Sequence, residues 1–165
     1  MSAFAAIEAE VRAAGLGAVG AFHPGPQDGA PAGTATLVLL GPDGPAMWRA
    51  FRAAPEAADG GPDPLDRWSA RVIGALARKL EAEALFPFGG PPLHPFQRWA
   101  ARGEGAVASP VAMQASSARG LWASYRGALA FARRIELPAA GQADPCAPCP
   151  APCRTACPVG AFAEG

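Results

Sequence analysis

All four cysteines of the chain lie within twelve residues near its carboxyl end. They are Cys146, Cys149, Cys153 and Cys157, and Pro158 follows the last one, so the spacing is C-x2-C-x3-C-x3-C-P. Thiolates are soft ligands, and cysteines two or three residues apart on a turning backbone can direct their sulfurs at one iron–sulfur cluster. The pattern therefore predicts a metal site held by these four residues.

Two other roles compete for the same cysteines. Four thiolates also suit tetrahedral zinc, although zinc ribbons usually place two C-x2-C pairs well apart in the sequence. Disulfides need an oxidising compartment. Residues 1–14 include Glu8 and Glu10 and lack the basic lead and apolar run of a secretory signal, so we expect a cytoplasmic protein. In that compartment metal ligation is favoured over disulfides, and structural zinc stays open as an alternative.

The cysteine run resembles that of the bacterial [4Fe–4S] ferredoxins, whose usual spacing is C-x2-C-x2-C-x3-C-P. The second gap here is one residue longer, and an extra loop residue can bulge outward without moving the sulfurs. The resemblance implies a [4Fe–4S] cluster. In two-cluster ferredoxins the fourth cysteine serves the other cluster, but this sequence has no second cysteine run. Either Cys157 closes a single cluster or the sequence is incomplete at its carboxyl end, and we expect incompleteness.

The order of the segments is similar to that of the epoxyqueuosine reductases and their uncharacterised ferredoxin-like relatives. In both, a helix runs into a segment such as Gly15–Phe22, an α/β domain follows, and a ferredoxin module comes last. This resemblance implies a cobalamin in the first domain and clusters that supply it with electrons. It predicts domain order better than activity, because the family's catalytic aspartate cannot be placed on any aspartate of this domain: Asp28, Asp43, Asp59, Asp63 or Asp66.

Periodic apolar segments between Gly- and Pro-rich loops predict the elements that must position the cysteines. Ser2 is expected to cap a helix that stops at Gly15, and Leu37–Leu40 belongs to a strand buried on both faces. The predicted segments are strands at 17–22 and 34–40, helices at 46–54, 64–83 and 96–101, and a hairpin of 121–124 with 128–131. We predict an α/β fold with a mixed sheet and flanking helices over 1–137, followed by a small ferredoxin-type iron–sulfur module over 138–165.

Charge and hydropathy narrow the possible partners. Fourteen basic residues balance fourteen acidic ones, so no overall field attracts nucleic acid, and we expect no nucleic-acid partner. No stretch approaches the roughly 18 apolar residues of a membrane span, so we expect no membrane partner. A redox partner protein is expected instead, because an iron–sulfur cluster needs a source and an acceptor of electrons.

Three further signals are weaker. The string Gly15-x-Gly17-x-x-Gly20 matches a dinucleotide fingerprint, but that motif needs a strand before it and a helix after it, whereas here the predicted order is reversed. The aromatic, Pro-rich loop 85–99 is expected to complete the core, although such loops also line pockets. His23 and His94 lie beside prolines in turns, where a single histidine is usually solvated.

The sequence as a whole predicts an electron-transfer protein whose cysteines hold a [4Fe–4S] cluster. One alternative is a cobalamin-dependent reductase related to epoxyqueuosine reductase, with loop 85–99 beside the cofactor. The other is a structural or interaction module stapled by zinc. No Ser/His/Asp or Cys/His catalytic set can be assembled from the two histidines, so hydrolase chemistry is not predicted.

Overall fold

A four-stranded sheet with helices on both faces forms the framework of the protein. The computed structural model describes residues 2–139 and 143–162, so part of the predicted 138–165 module lies outside the described residues. The helices are α1 (Ala3–Ala13), α2 (Ala46–Arg52), α3 (Pro64–Leu80) and α4 (Phe96–Gly103). The strands are β1 (Leu16–Phe22), β2 (Thr36–Pro42), β3 (Glu83–Leu85), β4 (Val107–Ala108), β5 (Gln114–Ala115) and β6 (Gly127–Phe131).

The strands of the main sheet lie in the order β1-β2-β6-β3, and each neighbouring pair is antiparallel. The predicted combination of helices and strands is confirmed, but the predicted mixed sheet is wrong for the described residues. The apolar pattern of the sequence indicates which segments are strands. It does not indicate whether neighbouring strands run parallel or antiparallel. Strands β4 and β5 form a separate short ribbon that the sequence did not predict.

Strand β6 occupies an interior position of the sheet, between β2 and β3. The predicted hairpin of 121–124 with 128–131 is therefore wrong. All five residues of Gly127–Phe131 are buried, whereas Trp122 is 90% exposed. An unbroken apolar run needs cover on both faces, which only an interior strand receives. The segment 121–124 instead forms irregular surface chain before the strand.

The two faces of the sheet bury separate cores. Val38 and Leu40 pack with α1, α2 and α3, whereas Leu37 and Leu39 pack with Phe96 and Trp99 on the opposite face. Successive strand residues point to opposite faces, so a two-sided core explains four apolar residues in a row. The prediction that this strand is buried on both sides is confirmed, as is the assignment of Phe96 and Trp99 to the core.

The helix boundaries follow from local backbone chemistry. Ser2 caps α1 as predicted, with its side chain accepting a hydrogen bond from the Ala5 N–H at 3.2 Å, and Gly15 after the helix has a φ of +82°. Helix α3 ends at Leu80 instead of continuing to 83, because Glu81 adopts a left-handed conformation with a φ of +56°. The chain can then enter strand β3. Asp63 occupies the N-cap position of α3, but its side chain makes no capping hydrogen bond.

Strand β1 and helix α4 approach each other very closely at two glycines. A Cβ atom added to Gly20 would lie 2.8 Å from the carbonyl carbon of Gly103. The pairing of β1 with β2 also shifts register between Ala18 and Gly20. Gly20 is thus needed for the packing of β1 against α4, and Gly15 lies just after the end of helix α1. These two structural roles explain two glycines of the GxGxxG string without any bound nucleotide. None of the described helices is both long and apolar enough to cross a membrane.

Candidate metal centre

The cysteine segment, residues 143–162, is a succession of tight turns. The Cys149 N–H donates to the Cys146 carbonyl at 3.1 Å, and the Cys146 N–H donates to Asp144 Oδ1 at 2.7 Å. A single turn of 3₁₀ helix, Pro152–Arg154, carries the third cysteine. Residues 158–162, which follow the last cysteine, form turns and irregular chain and not a helix.

Three of the four predicted ligands line one pocket. Cys146, Cys149 and Cys153 form one side of a cavity of about 190 Å³ between the cysteine segment and the α/β domain. The α/β domain contributes five lining residues, which we call the pocket wall: Ser109, Pro110, Ala115, Gly120 and Leu121. Cys157 is not among the described lining residues. The fold thus gathers the first three cysteines and leaves the fourth on the following turn.

The donor chemistry of this pocket fits a thiophilic centre. Its described lining contains no carboxylate or imidazole, and all four cysteines are free thiols. Within residues 2–139 and 143–162, however, no three Cys, His, Asp or Glu side chains are close enough to hold a metal ion. Metal binding and the ordering of a ligand loop are coupled in many metal sites. The residues therefore fit such a centre in type and line one cavity, but no three of their side chains converge on a single ion in the described arrangement.

The local environment affects the pKa values of the first and last thiols in opposite directions. Burial raises the pKa of Cys146, and the negative charges of Asp144, Cys149 and Cys153 raise it further. Backbone N–H groups of Ala161, Val159 and Gly160 lower the pKa of Cys157. Gathering thiolates in the pocket is thus unfavourable without a cation, because like charges disfavour each other's ionisation.

A buried ionic network supports the pocket wall. Arg119 Nε donates to Glu104 Oε1 at 2.9 Å, its Nη2 donates to Oε2, and the Tyr125 hydroxyl also donates to Oε2 at 2.5 Å. Arg119 Nη1 reaches the Ser124 carbonyl at 3.2 Å, and its backbone N–H donates to Ser116 Oγ at 3.0 Å. The side chains of Glu104 and Arg119 are only 6% and 18% exposed. One guanidinium therefore ties the 116–124 segment to the end of α4.

The charge state of this network follows from its contacts. Burial opposes ionisation of Glu104, but hydrogen bonds from Arg119, Tyr125 and Ser116 outweigh it and lower the Glu104 pKa. Burial raises the pKa of Tyr125, and the Glu104 carboxylate raises it further. Glu104 is consequently a carboxylate and Tyr125 a neutral donor at neutral pH. A buried carboxylate with several donors holds their geometry tightly.

The two histidines lie away from the cysteine pocket. His94 stacks on Trp99 with ring centroids 5.5 Å apart and lines a cavity of about 510 Å³, together with residues 83–86 and Phe88. His23 lines another cavity with Arg102 and Arg134. No cysteine lines either cavity among the described residues.

Sequence reasoning missed the pocket wall and the network behind it. Ser109 comes immediately before a proline in a segment without clear periodicity, and Arg119 and Glu104 are 15 positions apart. No local pattern links these residues to the cysteines. Only the α4–β4–β5 connection, which the fold decides, brings them to the same place.

The described residues define a broad class of protein: an α/β fold with an antiparallel main sheet, against which a four-cysteine segment forms a pocket. No protein-family model, curated protein or solved structure matches the chain.

Proposed function

We propose that this protein is an iron–sulfur electron-transfer protein in which Cys146, Cys149, Cys153 and Cys157 hold a [4Fe–4S] cluster. The observation that carries the proposal is the shared pocket: three of these thiols line one cavity whose described lining has no oxygen or nitrogen ligand from an acid or a histidine. All-thiolate sites of close sequence spacing are typical of such clusters. Cys157 would join from the next turn.

A bound cluster of this kind supplies one-electron transfer. The protein's contribution is to bind it, exclude water and adjust its potential through burial and hydrogen bonds. Pro110, Ala115 and Leu121 contribute apolar side chains to the lining of the pocket. Cys149 is the exposed member of the three pocket cysteines, so a redox partner protein would approach from its side.

Anaerobic purification followed by iron and sulfide analysis tests the proposal. We expect brown protein with broad visible absorbance that dithionite bleaches. Cys149→Ser and Cys153→Ser should lose most of the iron and colour, because a serine oxygen is a poor substitute for a thiolate at this centre. Ser117→Ala, an exposed change beyond the pocket lining, is the control and should retain both.

Other results would overturn the proposal. Colourless protein with stoichiometric zinc would establish the zinc-stapled module instead, since four thiolates also suit tetrahedral zinc. If Cys149→Ser kept its full iron and sulfide content, this pocket would not be the cluster site. Cys157→Ser tests the fourth ligand. Loss of iron from this variant would make Cys157 a ligand of the same cluster, whereas full retention of iron would remove Cys157 from the ligand set.

One observation favours a second candidate, a cobalamin-dependent reductase. The aromatic loop predicted to lie beside a cofactor does line a cavity, of about 510 Å³, through Phe86, Phe88 and His94. Titration with hydroxocobalamin tests the candidate. A saturable spectral change that Phe88→Ala weakens would support it, and the absence of any change would exclude it.

A further inference from the structure

Ser109 lines the cysteine pocket, and its side-chain hydroxyl is buried. Ser109 is only 8% exposed, and its Oγ has no hydrogen-bond partner among the described residues. Its backbone groups are both used: the N–H donates to the Met113 carbonyl at 2.8 Å, and the carbonyl accepts from the Ala112 N–H at 3.0 Å. The turn is therefore held by the backbone, and the side chain has no part in it.

Buried hydroxyls are nearly always hydrogen-bonded, so one without a partner points to a group that is bound there. The other side chains described in the pocket lining are apolar, apart from the thiols of Cys146, Cys149 and Cys153. Sulfur is the acceptor that this pocket offers, and it accepts better when it carries negative charge. Ser109 and the three cysteines thus line one cavity of about 190 Å³.

We propose that Ser109 donates its O–H to a sulfur of the bound cluster, either an inorganic sulfide or a ligating thiolate, and so tunes its redox potential. This inference rests on the proposed function. Ser109, a residue of the α/β domain, would then donate a hydrogen bond to a centre that the cysteine segment holds. The two parts of the chain then form one redox site instead of a cluster beside a separate domain.

Ser109 is held in place before any cluster binds. Strands β4 and β5 pair immediately on either side of its turn, with Val107 opposite Ala115 and Ala108 opposite Gln114. Farther along the wall, the Ser116 and Gly120 backbones exchange hydrogen bonds of 3.0 and 2.8 Å. A donor fixed in this way needs little reorganisation when charge develops on a nearby sulfur.

The direction of the effect follows from charge. One-electron reduction by an external donor such as dithionite adds a negative charge to the cluster, and that charge spreads over its sulfurs. A hydrogen bond to sulfur stabilises the reduced form more than the oxidised form, and therefore raises the midpoint potential. Removal of the hydroxyl should lower it.

Redox titration of the full chain, followed by EPR, tests the inference. At the potential where the wild-type protein is half reduced, we expect the ratio of reduced to oxidised cluster in Ser109→Ala to fall about three- to tenfold, a tenfold change being 59 mV for one electron. Ser109→Thr keeps the hydroxyl and should therefore keep most of the wild-type ratio of reduced to oxidised cluster. Ser117→Ala, in which an exposed hydroxyl of the same segment is removed, should leave the ratio unchanged.

Resonance Raman spectra in H₂O and D₂O give a second readout. The iron–sulfur bands of the wild-type protein should shift in D₂O, and Ser109→Ala should lose part of that shift. A full cluster in Ser109→Ala with an unchanged ratio and an unchanged D₂O shift would overturn this inference and leave the proposed function standing. Loss of the cluster from Ser109→Ala alone would overturn it too, since Ser109 would then serve assembly. Wild-type protein without iron and sulfide would overturn the proposed function itself.

Discussion

Gly20 and Gly103 show how a single residue can decide whether two elements pack. A Cβ atom at Gly20 would lie 2.8 Å from the Gly103 carbonyl carbon and 3.0 Å from the Glu104 nitrogen, both backbone atoms that cannot rotate away. We expect Gly20→Ala to lower the free energy of unfolding by about 1–3 kcal/mol, as overpacking does.

Urea denaturation measures this change, and Gly90→Ala is the matched control. An added Cβ at Gly90 meets nothing within 4 Å, so that variant should stay within about 0.5 kcal/mol of wild type. Equal stabilities of Gly20→Ala and wild type would show that β1 and α4 do not approach as described.

Glu56 links folding stability to pH. Its carboxylate accepts hydrogen bonds from Arg71 at 2.5 and 2.9 Å, and these contacts lower its pKa from 4.5 to about 2. A lowered pKa in the folded state means that the stabilisation is complete above pH 4.5 and is lost as the pH falls towards 2. Glu56→Gln should therefore flatten the pH dependence of stability within this window.

Chemical denaturation between pH 2 and pH 6 checks this prediction. Arg71→Met removes the donor instead of the acceptor and should flatten the same window, because Glu56 would then titrate near its ordinary pKa in both states. If Glu56→Gln and Arg71→Met changed the pH dependence of stability independently of each other, the Glu56–Arg71 ion pair would not be the cause of that dependence.

At the level of elements, the Glu104–Arg119 pair connects helix α4 to the pocket wall. Removal of one partner leaves the other charge buried, so Arg119→Met should destabilise the protein by about 3–5 kcal/mol. Tyr125→Phe removes one hydrogen bond to Glu104 and should cost less, about 1–3 kcal/mol. Thermal unfolding gives the order of the two effects.

Hydrogen exchange locates the same effect. In Arg119→Met the amides of residues 116–124 should exchange faster, because no guanidinium then links the Ser124 carbonyl to Glu104. Amides of β2 and β6 should change only as far as global stability falls. If the amides of the sheet exchanged faster while those of residues 116–124 were unchanged, the Glu104–Arg119 pair would not be what holds the pocket wall in place.

For the whole molecule, the described cores predict that the α/β domain does not need metal to fold. Both core clusters consist of residues between Phe4 and Ile135, with partly buried neighbours up to Leu137, and neither includes a cysteine. Removal of the proposed cluster with acid and a chelator should abolish the visible absorbance. The far-UV circular dichroism and the main thermal transition should persist, whereas unfolding on metal loss would show that the cysteine segment is part of the core.

The elements were predictable wherever one residue or one local pattern was sufficient. The Ser2 cap, the break at Gly15 and the four-residue apolar run of β2 each reflect chemistry within a few positions. The direction of the strands and the interior place of β6 were not predictable in this way. Gly127–Phe131 has the same apolar pattern whether it pairs with a neighbouring segment or with β2, 87 or more positions away.

The sequence by itself determined the donor chemistry of this protein, because four thiols at intervals of two or three residues are set by residue type and chain connectivity alone. Only the tertiary structure decided what faces them. It brought Ser109 and the Arg119-supported wall against Cys146, Cys149 and Cys153. Contacts between distant segments depend on how the sheet pairs and how helices cover it, and no local pattern of side chains specifies that.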